Sequence, residues 1–203
     1  TLIDPARIDV HGSLRCGRDV VIHPNVLFEG EVHLAEGVLI ESFTRIRNAR
    51  IGAGTVVHSH SLIEAGDIGA SCEIGPYARI RPDVELADEV KIGNFVEVKK
   101  SVIGRHSKVN HLTYIGDTTI GKDVNVGAGT ITCNYDGANK HRTVIGDGAF
   151  IGSGVNLVAP VTVGAGATIG AGSTITREAP PGELTLARGQ QTTIPGWKRP
   201  VRK

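Results

Sequence analysis

The chain has few aromatic residues, few cysteines and no methionine. Only 4% of its 203 residues are Phe, Trp or Tyr, so a core built from this sequence depends on smaller aliphatic side chains. The three cysteines, Cys16, Cys72 and Cys133, allow no complete disulfide framework. We therefore expect a protein of the reducing cytoplasm.

An excess of charge of one sign and long apolar runs are also missing. Lys and Arg number 22 and Asp and Glu number 21, so the formal net charge is +1. This balance excludes the broad positive field of a general nucleic-acid binder. No apolar run reaches the ~20 residues of a membrane span, and no signal segment opens the chain, which begins at Thr1 without Met. We expect no nucleic-acid or membrane partner, and we interpret the chain as a fragment.

Glycine, in contrast, is abundant, with 27 residues, and it repeatedly follows isoleucine. Taking the aliphatic residue as the reference position, a series runs from residue 16 to residue 175 in steps of six, or of five where one corner residue is dropped. One longer step, from 132 to 145, interrupts it. Ile, Val or Leu occupies 24 of the 27 positions. Such a period is the signature of a solenoid.

A period of six fits neither the 3.6 of a helix nor simple strand alternation. It fits a short strand followed by a turn, where we expect glycine to supply backbone angles that other residues avoid. If three units close one triangular coil, the 27 units predict an all-β parallel β-helix of about nine coils. Each buried aliphatic side chain contributes about 1.5–3 kcal/mol, so stacked aliphatic columns supply the core.

The repeat also predicts the organisation of the chain. The β-helix domain covers residues 16–176, and residues 1–15 are interpreted as the remnant of a linker to a missing N-terminal domain. Residues 133–144 interrupt the repeat as a polar loop, and long insertions on rigid scaffolds are often functional. Residues 177–203 form an irregular C-terminal tail containing Trp197. This tail either docks on a neighbouring subunit or caps the solenoid against further stacking.

The coil length predicts which side chains lie side by side. Arg81 and Lys99 each follow an aliphatic position, and because 99 − 81 = 18 they are expected one coil apart. Tyr114, in the next coil, is expected near the same corner. Two neighbouring cations repel each other, and an anion such as phosphate would relieve that repulsion. The alternative is a pair of solvated basic side chains.

A second column carries a histidine. His111 stands two residues after an aliphatic position, and Ala128, Ser153 and Ala171 hold the same place in the next three coils. Small side chains leave a groove in which an extended pantetheine arm could deliver a thioester to His111. Because the histidine and the cations lie on different columns, we expect a second subunit to complete the site. A three-sided prism packs naturally as a homotrimer with three equivalent sites between subunits.

Four segments carry a resemblance to a known family: Arg79-Ile80-Arg81-Pro82, Gly93-Asn94-Phe95-Val96-Glu97-Val98-Lys99-Lys100, His111-Leu112-Thr113-Tyr114 and the run from Gly127 to Gly137 with its Asn-Tyr-Asp-Gly loop. They resemble the acetyltransferase half of the bacterial bifunctional N-acetylglucosamine-1-phosphate uridyltransferase/glucosamine-1-phosphate acetyltransferases, which are hexapeptide-repeat transferases. The resemblance covers nearly the whole chain. It implies a left-handed β-helix and acetyl-CoA as cosubstrate, in the synthesis of UDP-N-acetylglucosamine for peptidoglycan and lipopolysaccharide.

The same resemblance implies roles for individual residues. His111 would be the general base, and the sugar phosphate would be bound by Arg81, Lys99, Tyr114 and Asn125, with Lys140 reaching across to a neighbour's site. Acetyl-CoA would be bound by Ala128, Asn134, Tyr135, Ser153, Ala171 and Arg188. One departure is Asp83, where glycine is expected and where an acid close to Arg81 could weaken phosphate binding.

The chemistry implied is direct transfer without a metal or a covalent enzyme intermediate. A protonated amine has no lone pair, so a base must take its proton as the nitrogen attacks the thioester; an imidazole, with a reference pKa of ~6.5, suits that task. Backbone N–H groups in the groove could stabilise the oxyanion. Cys133 is a poor candidate nucleophile because no residue is identified that would activate it.

Three other functions remain open at this point. One is a zinc lyase of the carbonic anhydrase kind, which could use His106 and His111, although no third histidine has a matching offset. The second is a related transferase that uses acyl carrier protein, which would need a longer acyl channel and a basic docking patch. The third is a purely structural trimerisation module.

Overall fold

A computed structural model describes residues 1–199 and shows a left-handed parallel β-helix. One 3₁₀ turn at Pro5–Arg7 precedes 27 short strands. The strands pair in parallel and form one sheet of ten strands and one of seventeen, which turns a corner. The prism therefore has three faces, as three units per coil predict.

The strands divide among the faces as follows. Face 1 is the ten-stranded sheet: Val21–Ile22, Leu39–Ile40, Val56–Val57, Glu73–Ile74, Lys91–Asn94, Lys108–His111, Asn125–Val126, Phe150–Ile151, Thr168–Ile169 and Leu184–Thr185. Two long strands, Ile8–Cys16 and Val26–Leu34, run through faces 2 and 3. Face 2 adds Arg45–Arg47, Leu62–Glu64, Arg79–Ile80, Glu97–Lys99, Tyr114–Gly116, Ile131–Cys133, Asn156–Val158 and Thr174–Ile175. Face 3 adds Arg50–Ile51, Gly66–Ile68, Val84–Leu86, Ser101–Ile103, Thr118–Ile120, Thr143–Ile145 and Val161–Val163.

Successive coils stack in register, and the aliphatic series forms the core. Ile22 pairs with Ile40, which pairs with Val57, in steps of 18 and 17 residues. Of the 27 predicted positions 26 are buried, and the exception, Cys16, is exposed. The expectation of aliphatic columns inside a parallel β-helix is confirmed.

Face 1 carries ten strands, one more than the nine coils expected from the repeat. The additional strand is Leu184–Thr185, which pairs with Thr168–Ile169. It follows Pro180-Pro181-Gly182, where the aliphatic period has already ended. Backbone pairing therefore continues for one strand after the side-chain signal stops.

The glycine of the Ile-Gly pairs plays a different part from the one expected. Apart from Gly75, these glycines do not have positive φ. A Cβ built on Gly104, which follows Ile103, would lie 2.5 Å from the backbone carbon of Gly121 in the next coil. Glycine is therefore needed there for close approach between coils. The left-handed corner residues lie elsewhere, and many are not glycine, Phe43 and Asp83 among them.

One corner carries a ladder of stacked rings that the sequence analysis did not identify. Phe43, His60, Tyr77 and Phe95 occupy the left-handed corner position in successive coils. Their ring centroids are 4.9, 4.8 and 5.3 Å apart, and the rings are nearly parallel. The signal was present in the sequence, because each residue stands three places after an aliphatic position. Stacked aromatic pairs of this kind add about 0.5–1.5 kcal/mol each.

At the ends of the described range, residues 1–7 contain one 3₁₀ turn and residues 186–199 contain no helix or strand. Trp197 is 65% exposed in the tail, and the last four residues of the predicted tail, 200–203, lie outside the described residues. Within residues 1–199 no helix is both long and apolar enough to cross a membrane.

Candidate active site

The predicted histidine column is present at the corner between faces 1 and 2, the first corner. The strand Lys108–His111 pairs with Asn125–Val126, which pairs with Phe150–Ile151, which pairs with Thr168–Ile169. Following this register two residues onward places four side chains in one line along the prism: His111, Ala128, Ser153 and Ala171. Backbone hydrogen bonds confirm the alignment, since Gly129 N–H donates to the His111 carbonyl and Gly154 N–H to the Ala128 carbonyl.

His111 is exposed, and a neighbouring amide orients its ring. Its Nδ1 lies 2.8 Å from Oδ1 of Asn94, which is the paired residue in the preceding coil. An amide oxygen can only accept, so Nδ1 carries the proton and Nε2 keeps the lone pair. The ring can therefore take a proton at Nε2 from a group in front of the first corner.

The groove ahead of His111 is lined by small side chains and by backbone. The N–H groups of Ala128 and Ser153 make no hydrogen bond within residues 1–199, so both stay available as donors to a bound carbonyl oxygen. At the far end, Nη1 of Arg188 donates to the Ala171 carbonyl at 2.9 Å. This contact places a guanidinium at the end of the small-residue column, where a phosphate-bearing coenzyme could be held.

The predicted cation pair is present at the corner between faces 2 and 3, the second corner. The register that pairs Arg79–Ile80 with Glu97–Lys99 places Arg81 one coil from Lys99. Nη1 of Arg81 donates to Glu97 Oε1 at 2.8 Å, and Glu97 also faces Arg79 at 3.8 Å. Glu97 was not identified from the sequence, although its coil register with Arg79 follows from the repeat.

Lys99 has another cation, Lys140, beside it. The ammonium of Lys140, from the loop, lies next to it and lowers its pKa; desolvation and the charges of Arg81 and Lys100 act in the same direction. Lys99 and Lys140 make no ion pair within residues 1–199, and two adjacent ammonium groups with Arg81 one coil away favour binding of an anion with several oxygens, such as phosphate. Lys140 thus joins the cluster of its own chain, and its predicted reach to a neighbouring subunit stays a prediction.

Gly116 forms the floor beside this cluster. It continues the Arg81–Lys99 column, and Tyr114 folds its hydroxyl over it. The amide of Asn134 lies above the same glycine and donates to Asp117 Oδ2 at 2.5 Å. Asn134, the second residue of the loop, is therefore anchored at the second corner, and it is buried.

All but one of the predicted site residues consequently fall into two groups on one chain, and the remaining residue belongs to neither group. His111, Ala128, Ser153, Ala171 and Arg188 lie along the first corner. Near the second corner lie Arg81, Lys99, Tyr114, Asn134, Tyr135 and Lys140. Asn125 lies on face 1, where it pairs with Lys108 and Phe150, and is not joined to the cations. Face 2 separates the groups, in agreement with the expectation that the two columns differ.

Asp83 does not form an ion pair with Arg81 in the described chain, because Arg81 is paired with Glu97. Asp83 has a φ of 63°, in the left-handed region that glycine occupies easily. It lines a shallow groove with Lys100 and Lys140. The backbone conformation explains why glycine would also fit here.

The two histidines of the zinc-lyase alternative contact different partners, and Cys133 is unsuited to act as a nucleophile. His106 Nδ1 lies 2.9 Å from Asp123, whereas His111 contacts Asn94. Within residues 1–199 no three His, Cys, Asp or Glu side chains are grouped to hold a metal ion. Burial raises the pKa of the Cys133 thiol, which disfavours the thiolate that a nucleophile needs.

Comparison with known proteins agrees with this geometry at the level of class. A model of the bacterial transferase hexapeptide repeat matches residues 142–177, and a model of the GMPPB C-terminal domain matches residues 67–155. Each match covers less than half of the chain, and together with the coiled fold they define its class as a hexapeptide-repeat protein.

The particular family follows from a match that spans the whole of this chain. The Bifunctional protein GlmU of Ralstonia pickettii (strain 12J) is 63% identical over 203 residues, which is all of this chain and 45% of that protein. The chain belongs to the GlmU family and corresponds to its C-terminal part. It spans a little under half the length of the curated relatives that it matches.

Solved structures share the fold. The UDP-N-acetylglucosamine acyltransferase of Arabidopsis superposes with a TM-score of 0.67 over 90% of this chain and 70% of that one, at 18% identity. A mutant perosamine N-acetyltransferase from Caulobacter crescentus, in complex with CoA and GDP-perosamine, is 25% identical, with a TM-score of 0.51 over 57% of this chain and 52% of that one.

Proposed function

We propose that the chain transfers the acetyl group of acetyl-CoA to the amine of glucosamine 1-phosphate, forming N-acetylglucosamine 1-phosphate for UDP-N-acetylglucosamine synthesis. The observation that carries the proposal is His111, an exposed imidazole with a free Nε2 at the head of a column of small residues. The CoA complex of the perosamine N-acetyltransferase supports a coenzyme on this fold. The products would serve cell-wall and lipopolysaccharide synthesis in the cytoplasm.

In this reaction His111 acts as general base. The amine nitrogen attacks the thioester carbonyl carbon while Nε2 of His111 takes a proton from that nitrogen. The C–S bond then breaks, and the CoA thiolate leaves with its electron pair and is protonated. The free N–H groups of Ala128 and Ser153 support stabilisation of the carbonyl oxygen as it gains negative charge.

The second corner supplies a site for the acceptor's phosphate. Arg81, Lys99 and Lys140 together would hold its oxygens, and Tyr114 beside Gly116 would close the floor of the site. Held in this way, the acceptor would meet the thioester in a reactive orientation. The cations would hold a phosphate at position 1 so that the amine of the same sugar reaches His111. A phosphate at position 6 would change the distance between the phosphate and the amine, so glucosamine 6-phosphate should be a poor acceptor.

A complete site requires more than one chain. Because the first and second corners lie at opposite edges of face 2, we propose that the first corner of one subunit meets the second corner of another. Closed threefold packing would then give a homotrimer with three equivalent sites. In this arrangement Lys140 serves a site that is shared with a neighbouring subunit.

A thiol-release assay with acetyl-CoA and glucosamine 1-phosphate tests the function. His111→Ala should reduce turnover at least about 100-fold, the usual size of a general-base contribution. His106→Ala is the matched control, because that histidine is also exposed but pairs with Asp123. Unchanged turnover in His111→Ala, or equal rates with glucosamine 6-phosphate, would contradict the proposal.

A further inference from the structure

The loop that interrupts the repeat is folded into a small hairpin. His141 N–H donates to the Asn134 carbonyl at 2.8 Å, and Asp136 N–H to the Asn139 carbonyl at 3.1 Å. Between these two bonds, Tyr135 and Lys140 form an antiparallel bridge. A hairpin this short is only marginally stable in water, so side-chain contacts must hold it closed.

The Asp136 carboxylate provides those contacts. Its Oδ1 accepts hydrogen bonds from the N–H groups of Ala138 and Asn139, at 2.8 and 2.6 Å. Its Oδ2 lies 2.6 Å from Nε2 of His141, on the opposite strand of the hairpin. The Asn139 N–H, the His141 side chain and the Ala138 N–H together hold the pKa of Asp136 well below its usual range. The carboxylate is therefore ionised and joins the tip of the hairpin to its returning strand.

The residues held by this contact are the ones that would meet both substrates. Tyr135 precedes Asp136, and Lys140 precedes His141, so each member of the pair adjoins one bridge residue. Lys140 lies next to Lys99 and repels it, and such a pair separates unless the backbone restrains it. The hairpin therefore holds Lys140 beside Lys99 against their mutual repulsion, and the two ammonium groups together form the anion site.

We infer that Asp136 and His141 are positioning residues that lock the hairpin, so that Tyr135 and Lys140 are presented together to the coenzyme and to the sugar phosphate. The inference rests on the proposed function, which assigns Lys140 to the sugar phosphate, and on the role in acetyl-CoA binding that the family resemblance implies for Tyr135. The proposed reaction at His111 uses neither Asp136 nor His141. Their loss should weaken binding of both substrates while leaving the His111 chemistry in place.

Steady-state kinetics of Asp136→Ala and His141→Gln test this inference in the full chain. We expect the KM for acetyl-CoA and the KM for glucosamine 1-phosphate each to rise about fivefold or more, with kcat changed less than about threefold. Asp136→Asn keeps an acceptor for the Ala138 and Asn139 N–H groups and should recover part of the loss. The matched control is Asp123→Ala, which breaks an Asp–His pair at 2.9 Å outside the loop and should change neither KM.

Trypsin cleavage after Lys140 reports the hairpin independently of turnover. Asp136→Ala should be cleaved there about tenfold faster than wild type, whereas Asp123→Ala should not. If Asp136→Ala fails to fold, as judged by circular dichroism, His141→Gln decides the question. An active wild type with KM values unchanged in the loop variants would overturn this inference alone. An inactive wild type would overturn the proposed function and this inference with it.

Discussion

Thr132 offers a sharp test of the fold, because it is a polar residue in an aliphatic column. It is one of the three positions in the series that are not Ile, Val or Leu, and it is buried. Its Oγ1 accepts a hydrogen bond from Gly116 N–H at 2.8 Å and lies 3.3 Å from the Tyr114 carbonyl. In this coil the strand Tyr114–Gly116 makes a single recorded pair with the next strand, Tyr114 with Ile131. A side-chain oxygen therefore replaces the missing backbone partner of Gly116.

Thr132→Val nearly preserves volume and removes that partner. Gaining one apolar group in place of a hydroxyl should stabilise by about 0.8 kcal/mol. Leaving the buried Gly116 N–H without an acceptor should cost about 1–3 kcal/mol. The loss exceeds the gain, so we expect net destabilisation of about 0.2–2.2 kcal/mol. For a chain of this size the melting temperature should fall by a few degrees, at ~2–4 °C per kcal/mol.

Thermal melting at one fixed protein concentration is the assay, because an oligomer's stability depends on concentration. Thr132→Ser is the control: it keeps the hydroxyl and loses a methyl group, so the Gly116 bond survives. If Thr132→Val melts above wild type, filling the column outweighs the hydrogen bond, and the explanation of this position is wrong.

Two further predictions follow from the site and from the coil contacts. Asn94→Asp places a carboxylate about 3 Å from the His111 ring and favours the protonated form of the imidazole, by ~1 kcal/mol for a solvent-exposed charge pair. The acid limb of the kcat/KM profile should therefore move to higher pH by about half a unit to one unit. An unmoved limb would contradict the contact between residue 94 and His111. Gly104→Ala would bring a Cβ to 2.5 Å from the Gly121 backbone and should cost about 1–3 kcal/mol by overpacking. Gly148→Asn is the control: this corner is left-handed, nothing lies within 4 Å of a Cβ built there, and the melting temperature should change little. If Gly104→Ala and Gly148→Asn had equal effects, close approach between coils would not explain the glycine at position 104.

The columns of the site could be predicted because a solenoid turns sequence spacing into distance. Once a coil has 17 or 18 residues, His111, Ala128, Ser153 and Ala171 must align wherever the register holds, and it holds even across the loop. The same arithmetic placed Arg81 beside Lys99. Backbone periodicity alone suffices for such predictions.

The remaining details depend on side-chain conformation and on breaks in the period. The sequence shows that Asn94 and His111 lie one coil apart. Their contact also depends on the side-chain rotamers, which the sequence does not give. The position of Lys140 beside Lys99 depends on the hairpin, which carries no repeat. The tenth strand on face 1 follows the end of the aliphatic signal, so periodicity could not show it.

The glycine positions show a different limit. Freedom of φ and close packing both select glycine, and the sequence does not distinguish them. The structure does, since a Cβ at Gly127 meets backbone of the next coil, while Phe43 and Asp83 adopt left-handed angles with side chains on the outside of the coils. The steric reason lies between coils and is visible only after they stack.

A crystal structure of the full assembly with acetyl-CoA bound would test the central claim most directly. We predict that the pantetheine arm follows Ala128, Ser153 and Ala171 and that the thioester carbonyl lies within hydrogen-bonding reach of the Ala128 or Ser153 N–H, beside Nε2 of His111. A coenzyme bound on another face, or a thioester remote from His111, would contradict the account.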